Sequence, residues 1–126
     1  MKKLKGLFNL IRFELPLAAG ICVVLGQLFA LGYFAPLYLT LTAALSVFFI
    51  SASILVSNDY FDIETDKINA PHRPISSGLV SPVQAFALAV FLLLAGLILS
   101  LTISITALLF SIGLTIIGLI YNGKFK

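Results

Sequence analysis

The segment Asn58–Asp66, NDYFDIETD, decides how this sequence folds, because it holds four of the five acidic residues and separates two long apolar stretches. No residue from Leu15 to Asn58 carries a formal charge, and none from Pro74 to Gly123 does. Each of these stretches is more than 40 residues long. Because a transmembrane helix needs about 20 apolar residues, each stretch has room for two membrane spans.

The composition excludes an ordinary soluble domain. Of the 126 residues, 60% are hydrophobic and only 10% are charged, whereas soluble domains carry about 25% charged residues. The mean hydropathy is +1.13. The single cysteine, Cys22, excludes a disulfide framework and a cysteine-based zinc site. The net charge of +3 does not indicate a nucleic-acid partner, because the basic residues flank the apolar stretches.

Turn and capping signals divide the two stretches into helices. Gly32 and Pro36 enclose two aromatic residues, which suits a turn at the membrane interface. Ser81 before Pro82 is typical of a helix start. We therefore predict an all-α, multi-pass transmembrane bundle, with residues 1–126 forming part of one domain. Its four helices are predicted at about residues 13–31, 36–66, 82–100 and 104–121, with a loop over about residues 67–80.

The basic residues predict the orientation of this bundle. With four spans, residues 1–12, the charged loop and the C-terminal tail lie on one side of the membrane, and that side holds all eight Lys and Arg residues. Because such residues favour the cytoplasmic side, we expect a cell-membrane protein whose N-terminus and acidic loop are cytoplasmic.

The acidic segment has the spacing of a metal site. On one continuous helix, Asn58, Asp62 and Asp66 fall at about 0°, 40° and 80°, and Asp59 falls at about 100°. Two carboxylates about 6 Å apart at an effective dielectric of about 20 repel by roughly 3 kcal/mol. A hard divalent cation removes this penalty, and oxygen ligands favour Mg²⁺, Mn²⁺ or Ca²⁺ over zinc. Since Mg²⁺ often shares its shell with substrate phosphates, the pattern also predicts a phosphate-bearing ligand. The alternative is a solvated loop whose acids keep the interface soluble.

A bent basic segment follows the acids. Pro71 and Pro74 cannot continue a helix, so the chain is expected to fold back towards the acidic residues. Lys67 and Arg73 can then bind a diphosphate, with the arginine acting as a bidentate donor. The alternative for both is an ordinary membrane-surface anchor.

These residues resemble the first signature of the UbiA superfamily of intramembrane prenyltransferases, and the resemblance spans nearly the whole chain. It is carried by Asn58-Asp59-x-x-Asp62-x-x-x-Asp66, Lys67, Asn69-x-Pro71-x-Arg73-Pro74-Ile75 and Ser77-Gly78, together with Arg12-x-x-x-Pro16 and Tyr121-Asn122-x-Lys124. The resemblance implies a fold of about nine transmembrane helices around a central cavity. It also implies Mg²⁺-dependent transfer of a polyprenyl group from a polyprenyl diphosphate to an aromatic or hydroxyl acceptor, in quinone or membrane-lipid biosynthesis.

Site residues follow from the resemblance by position. Asn58, Asp59, Asp62 and Asp66 would hold Mg²⁺, with Asp62 and Asp66 as the catalytic pair. Arg73 would contact the diphosphate, with Lys67, Arg12 and Lys124 as further contacts, and the prenyl tail would lie among the apolar helices.

The family also has a second aspartate-rich motif, whereas this sequence has no acidic residue after Asp66. We therefore expect the N-terminal part of a prenyltransferase that is inactive alone and needs the missing C-terminal half. The alternatives are a non-catalytic membrane protein or partner subunit that binds Mg²⁺ or polyprenyl diphosphate, and a small cation transporter. Transport is disfavoured because the spans carry no ionisable group beyond their ends.

Overall fold

A computed structural model describes most of the chain. The described residues are 5, 6, 9, 11, 14–33, 35–69, 71, 74, 75, 77, 78 and 80–124, and for 64–66 and 122–124 the description covers the backbone alone. Every element in these ranges is helical, and none of these residues forms a strand. The five helices are α1 (Glu14–Leu31), α2 (Leu37–Phe61), α3 (Ile63–Asn69), α4 (Pro82–Ile103) and α5 (Ile105–Lys124).

The prediction of an all-α transmembrane bundle is confirmed. Among the described residues, α1, α2 and α4 are long and apolar enough to cross a membrane, with 18, 25 and 22 residues. The apolar part of α5, Ile105–Tyr121, is slightly shorter. Most side chains of the three long helices remain uncovered by the rest of the chain, as expected when lipid or further helices surround them.

The prediction of one continuous helix over residues 36–66 is wrong after Phe61. The described helix α2 ends at Phe61, where Asp62 has φ −98° and ψ 14° and its N–H donates to the Asn58 carbonyl at 3.0 Å. A separate short helix, α3, then continues to Asn69. The break falls where carboxylates accumulate at a helix C-terminus, the end at which the helix dipole disfavours negative charge. Residues 67–69, predicted to lie in the loop, are therefore helical.

The third predicted helix is also longer than expected. It continues past residue 100 to Ile103. The Ser100 and Thr102 hydroxyls donate to the carbonyls of Leu97 (2.8 Å) and Leu99 (2.6 Å), so both polar side chains are accommodated within the helix. The turn is confined to Ser104, which is extended at φ −172° and ψ 164°. The Ser104 hydroxyl then accepts the Ala107 N–H at 3.0 Å and caps α5.

Small residues hold the long helices together. Helix α2 packs most extensively against α4 and then against α1. Between α2 and α4, the Ser46 hydroxyl donates to the Gly96 carbonyl at 2.8 Å and the Ser53 hydroxyl to the Ala89 carbonyl at 3.0 Å. Such close approach through small residues and hydroxyls is the usual way in which helices associate inside a membrane.

The described residues between α3 and α4 fold back onto the bundle. Gly78 takes φ +84° in a turn that its N–H closes on the Ile75 carbonyl at 3.1 Å, and the Val80 N–H donates to the Pro74 carbonyl at 3.0 Å. A residue with a Cβ is strained at this φ. Ile75 and Val80 are buried in one apolar cluster with Val56 of α2. The turn therefore fixes this segment beside the end of α2 that carries the acids.

Replacing Ser81 by Ala is expected to lower the free energy of unfolding by about 1 kcal/mol. The Ser81 hydroxyl accepts the Gln84 N–H at 3.1 Å, and the Gln84 side chain accepts the Ser81 N–H at 3.1 Å. This capping box satisfies two backbone donors at the start of α4. The change is measured by denaturant titration in detergent micelles. Val83→Ala, at a side chain that is 78% exposed in the same turn, is the control, and an equal loss in both variants would contradict the assignment.

Candidate functional site

The C-terminal end of α2 places three of the candidate ligands together. Asn58 and Asp59 lie in its last turn, and Asp62 follows at the junction with α3. Residues three and four positions apart on a helix have Cβ atoms about 5–6 Å apart. The Asp62 N–H bond to the Asn58 carbonyl keeps that spacing at the junction. These oxygen-bearing side chains therefore occupy a single helical turn.

Asp59 is the most deeply buried acid of the described segment. It is 3% exposed and continues the inward face of α2 after Ala52 and Val56, which are fully buried. Asp62, in contrast, is partly exposed. This turn therefore presents one acid to the protein interior and one to its surface. The buried carboxylate requires compensating contacts or a cation.

Asn58 provides the most specific observation at this site. Its Oδ1 atom is buried and has no hydrogen-bond partner. An unsatisfied buried acceptor costs about 1–3 kcal/mol, and a hard cation is one group that would satisfy it. Asp59 and Asp62, in the same turn, supply carboxylate oxygens, which are the ligands that Mg²⁺ prefers. The chemistry of this donor set fits that cation.

The described side chains supply only part of a metal centre. Among the described residues, no group of three or more His, Cys, Asp or Glu side chains could hold a metal ion. Asp66 lies in α3, but its side chain falls outside the described set. A centre with Asn58, Asp59 and Asp62 alone has two carboxylates, which agrees with the one or two protein carboxylates that Mg²⁺ commonly takes.

Of the four predicted diphosphate contacts, Lys67 alone has a described side chain. Lys67 is exposed on α3, five residues after Asp62 in the sequence. Arg12 and Arg73 lie outside the described residues, and Lys124 is described only as the last residue of α5. Ile75, two residues after Arg73, is fixed beside α2 by the buried cluster. The described part of the loop thus returns towards the acidic turn.

An apolar groove lies on another face of α2. It has a volume of about 170 Å³ and lies between α2, α4 and α5. Its aromatic wall contains Tyr60 and Phe86, whose ring centroids are 5.9 Å apart. At 100° per residue, Ser53, Ser57 and Tyr60 of the groove lie about 100–160° around α2 from Asn58. The groove was not predicted, although Ser53, Ser57 and Tyr60 recur at helical spacing and provided a signal for it.

The chain is similar to known proteins over most of its length. The model of the UbiA prenyltransferase family matches residues 19–126. The chain is 39% identical over 121 residues to the digeranylgeranylglyceryl phosphate synthase of Saccharolobus solfataricus, covering 96% of this chain and 43% of that protein. It is 37% identical over 108 residues to the Pyrococcus horikoshii synthase, covering 86% of this chain and 39% of that protein.

A solved structure is similar as well. It comes from work described as structural and mechanistic insights into the biosynthesis of digeranylgeranylglyceryl phosphate synthase in membranes. The two chains share 36% sequence identity with a TM-score of 0.95, and the match covers 99% of this chain and 45% of that one. The present chain therefore spans less than half the length of the relatives it matches.

Proposed function

Since this chain belongs to the UbiA prenyltransferase family, we propose that its acidic turn is the diphosphate-activating part of a membrane prenyltransferase. The observation that carries this proposal is the buried, unpartnered Oδ1 of Asn58, in the same helical turn as two carboxylates. A divalent cation bound there would satisfy that atom and attract a diphosphate.

The proposed acceptor is a membrane lipid. The similar proteins are named digeranylgeranylglyceryl phosphate synthases, and that product carries two geranylgeranyl groups on one glyceryl phosphate. The transfer that completes it joins a geranylgeranyl group to a free hydroxyl of geranylgeranylglyceryl phosphate. The allylic C–O bond of the donor breaks, diphosphate leaves, an ether C–O bond forms, and the hydroxyl proton is released. The relatives' names favour this lipid over the aromatic acceptors of the sequence-based prediction.

The residues have distinct proposed roles. Asn58, Asp59, Asp62 and Asp66 would hold Mg²⁺, which supplies positive charge to the departing diphosphate when it is bound. Arg73, Lys67, Arg12 and Lys124 would contact the diphosphate directly. Because these eight residues belong to regions predicted on the cytoplasmic side, we propose that the diphosphate binds there and that the prenyl tail extends into the membrane.

The second proposed function is binding without turnover. The sequence has no acidic residue after Asp66, so a second aspartate-rich motif would have to come from outside these 126 residues. Without it, the acidic turn would bind Mg²⁺ and polyprenyl diphosphate but would not complete transfer. The chain would then act as a non-catalytic membrane protein or as a partner subunit.

Membranes that contain the whole protein are expected to convert geranylgeranyl diphosphate and geranylgeranylglyceryl phosphate to the two-chain lipid when Mg²⁺ is present. EDTA is expected to stop this conversion, and added Mg²⁺ is expected to restore it. Product formation is followed by mass spectrometry of extracted lipids. Retention of both substrates with Mg²⁺ present, together with Mg²⁺-dependent binding of the donor, would favour the binding function. Unchanged conversion in EDTA would exclude the proposed metal dependence.

A further inference from the structure

The proposed reaction brings two anionic groups together. The donor carries a diphosphate, and the acceptor, geranylgeranylglyceryl phosphate, carries a phosphate on the same three-carbon glycerol as its reacting hydroxyl. A phosphate monoester has about 1.5 to 2 negative charges near pH 7. Because like charges repel at this range, the acceptor phosphate needs its own positive partner in addition to the groups that bind the diphosphate.

Half of the basic residues in this chain have no role in binding the donor. Four of the eight Lys and Arg residues are the proposed contacts of the diphosphate. The other four are Lys2, Lys3, Lys5 and Lys126. Of these four, Lys5 lies within the described part of the chain, where its backbone is helical and its side chain is exposed. Lys5 is therefore the basic residue whose surroundings can be compared with the needs of the acceptor.

The segment that carries Lys5 is anchored at the acidic end of α2. Ile11, six residues after Lys5, is 9% exposed and belongs to the same buried cluster as Val56. Asp59 follows Val56 by three residues on the inward face of α2. This anchor brings the chain before α1 to the turn at which the diphosphate is proposed to bind.

Lys5 and Asn9 share one exposed side of this segment. Both have helical backbone and exposed side chains, whereas Gly6 and Ile11 are buried. Residues four positions apart on a helix lie on the same face. The lysine ammonium offers three N–H donors and the asparagine amide offers two, and phosphate oxygens accept such bonds, most strongly from a charged donor. We call Lys5 and Asn9 the N-terminal polar face.

We propose that the N-terminal polar face binds the phosphate of the acceptor lipid and so holds its hydroxyl beside the acidic turn. A segment that only anchors the protein to the membrane surface places its apolar side in lipid. Here Gly6 and Ile11 are buried by other residues of the chain, which fixes the polar face at the end of the bundle. The inference rests on the proposed function, since that function supplies an acceptor with a phosphate.

Equilibrium binding of the acceptor by the whole protein tests this inference without requiring turnover. The protein, in micelles of an uncharged detergent, is titrated with geranylgeranylglyceryl phosphate and separately with geranylgeranylglycerol, which lacks the phosphate. The bound fraction is measured by native mass spectrometry. Lys5→Gln is expected to weaken binding of the phosphorylated lipid about tenfold, because a charged hydrogen bond is lost, and to leave binding of geranylgeranylglycerol unchanged. Asn9→Ala is expected to cause a smaller loss with the same selectivity.

Lys3→Gln is the matched control, because it removes the same charge two positions away. In a helical projection of the sequence, position 3 lies about 160° around the axis from Lys5, so binding of both lipids should equal that of the unmodified protein. Equal losses in Lys3→Gln and Lys5→Gln would overturn the inference in favour of a general attraction between the basic N-terminus and anionic lipids. Unchanged binding in Lys5→Gln, or an equal loss for both lipids, would overturn it as well. If phosphate-selective binding depends on Lys5 but no prenyl transfer occurs, the binding site stands and the proposed function fails.

Discussion

Replacing Asp62 by Asn is expected to weaken Mn²⁺ binding by the whole protein at least about tenfold and to lower prenyl transfer by about 100-fold or more. The substitution keeps the size of the side chain and removes one negative charge. Asp62 is partly exposed at the junction of α2 and α3, so the fold should tolerate the amide. Mn²⁺ serves as a paramagnetic substitute for Mg²⁺, and its bound fraction is measured by electron paramagnetic resonance.

Glu14→Gln is the matched control for this prediction. Glu14 is an exposed acid in the first turn of α1, and its replacement removes the same charge with the same change in shape. Mn²⁺ binding and prenyl transfer should stay close to the values of the unmodified protein. If Asp62→Asn binds Mn²⁺ as tightly as Glu14→Gln does, Asp62 is not a ligand. If Mn²⁺ binding falls but transfer does not, the cation site is separate from the reaction.

The sequence predicted the helical bundle well because membrane spans depend on one-dimensional properties. Charge-free stretches and the turn signals at Pro36 and Ser81 are sufficient to locate spanning helices. The break at Asp62 was missed because the helical projection assumed one continuous helix through Asp66. The position of the break depends on the balance between helix hydrogen bonds and carboxylate repulsion. The pattern of residue types does not show which of these two effects is larger.

The candidate site was predictable in its residue types but not in its burial. The spacing of Asn58, Asp59 and Asp62 places them in one turn, which follows from helix geometry alone. That Asp59 is 3% exposed and that Oδ1 of Asn58 is buried depends on what packs over them. The cluster around Val56 includes Ile11, before α1, and Ile75, in the folded-back segment. Such contacts between distant parts of the chain have no local signature in the sequence.

The packing roles of the glycines also could not be predicted from the local sequence. Gly26 and Gly96 are both helical glycines within apolar spans, and their sequence surroundings give no reason to distinguish them. In the structure, a Cβ at Gly26 would meet nothing within 4 Å. One at Gly96 would lie 2.6 Å from Ile50 Cγ1, 3.0 Å from the Ser46 carbonyl oxygen and 3.1 Å from the Ile50 amide nitrogen. Only Gly96 is therefore required by the packing of α2 against α4.

Replacing Gly96 by Leu is accordingly expected to destabilise the bundle by about 3 kcal/mol. Two of the atoms that the side chain would meet belong to the backbone of α2 and cannot move without separating the helices. Separation also breaks the 2.8 Å hydrogen bond from the Ser46 hydroxyl to the Gly96 carbonyl. Because native proteins are stable by only about 5–15 kcal/mol, the variant should unfold at distinctly lower denaturant concentration, which circular dichroism in micelles measures.

Gly26→Leu, the same substitution in α1, should leave stability unchanged or raise it by up to about 1 kcal/mol, because glycine is a poor helix former. The stability of Gly96→Ala should lie between the stabilities of Gly96→Leu and Gly26→Leu, since the overpacking by the added methyl group is partly offset by the higher helix propensity of alanine. Adding Ile50→Ala to Gly96→Ala removes Cγ1, the nearest side-chain atom, so the loss in the double variant should be smaller than the sum of the two single losses. Equal stability of Gly96→Leu and Gly26→Leu would show that α2 and α4 do not pack through this glycine.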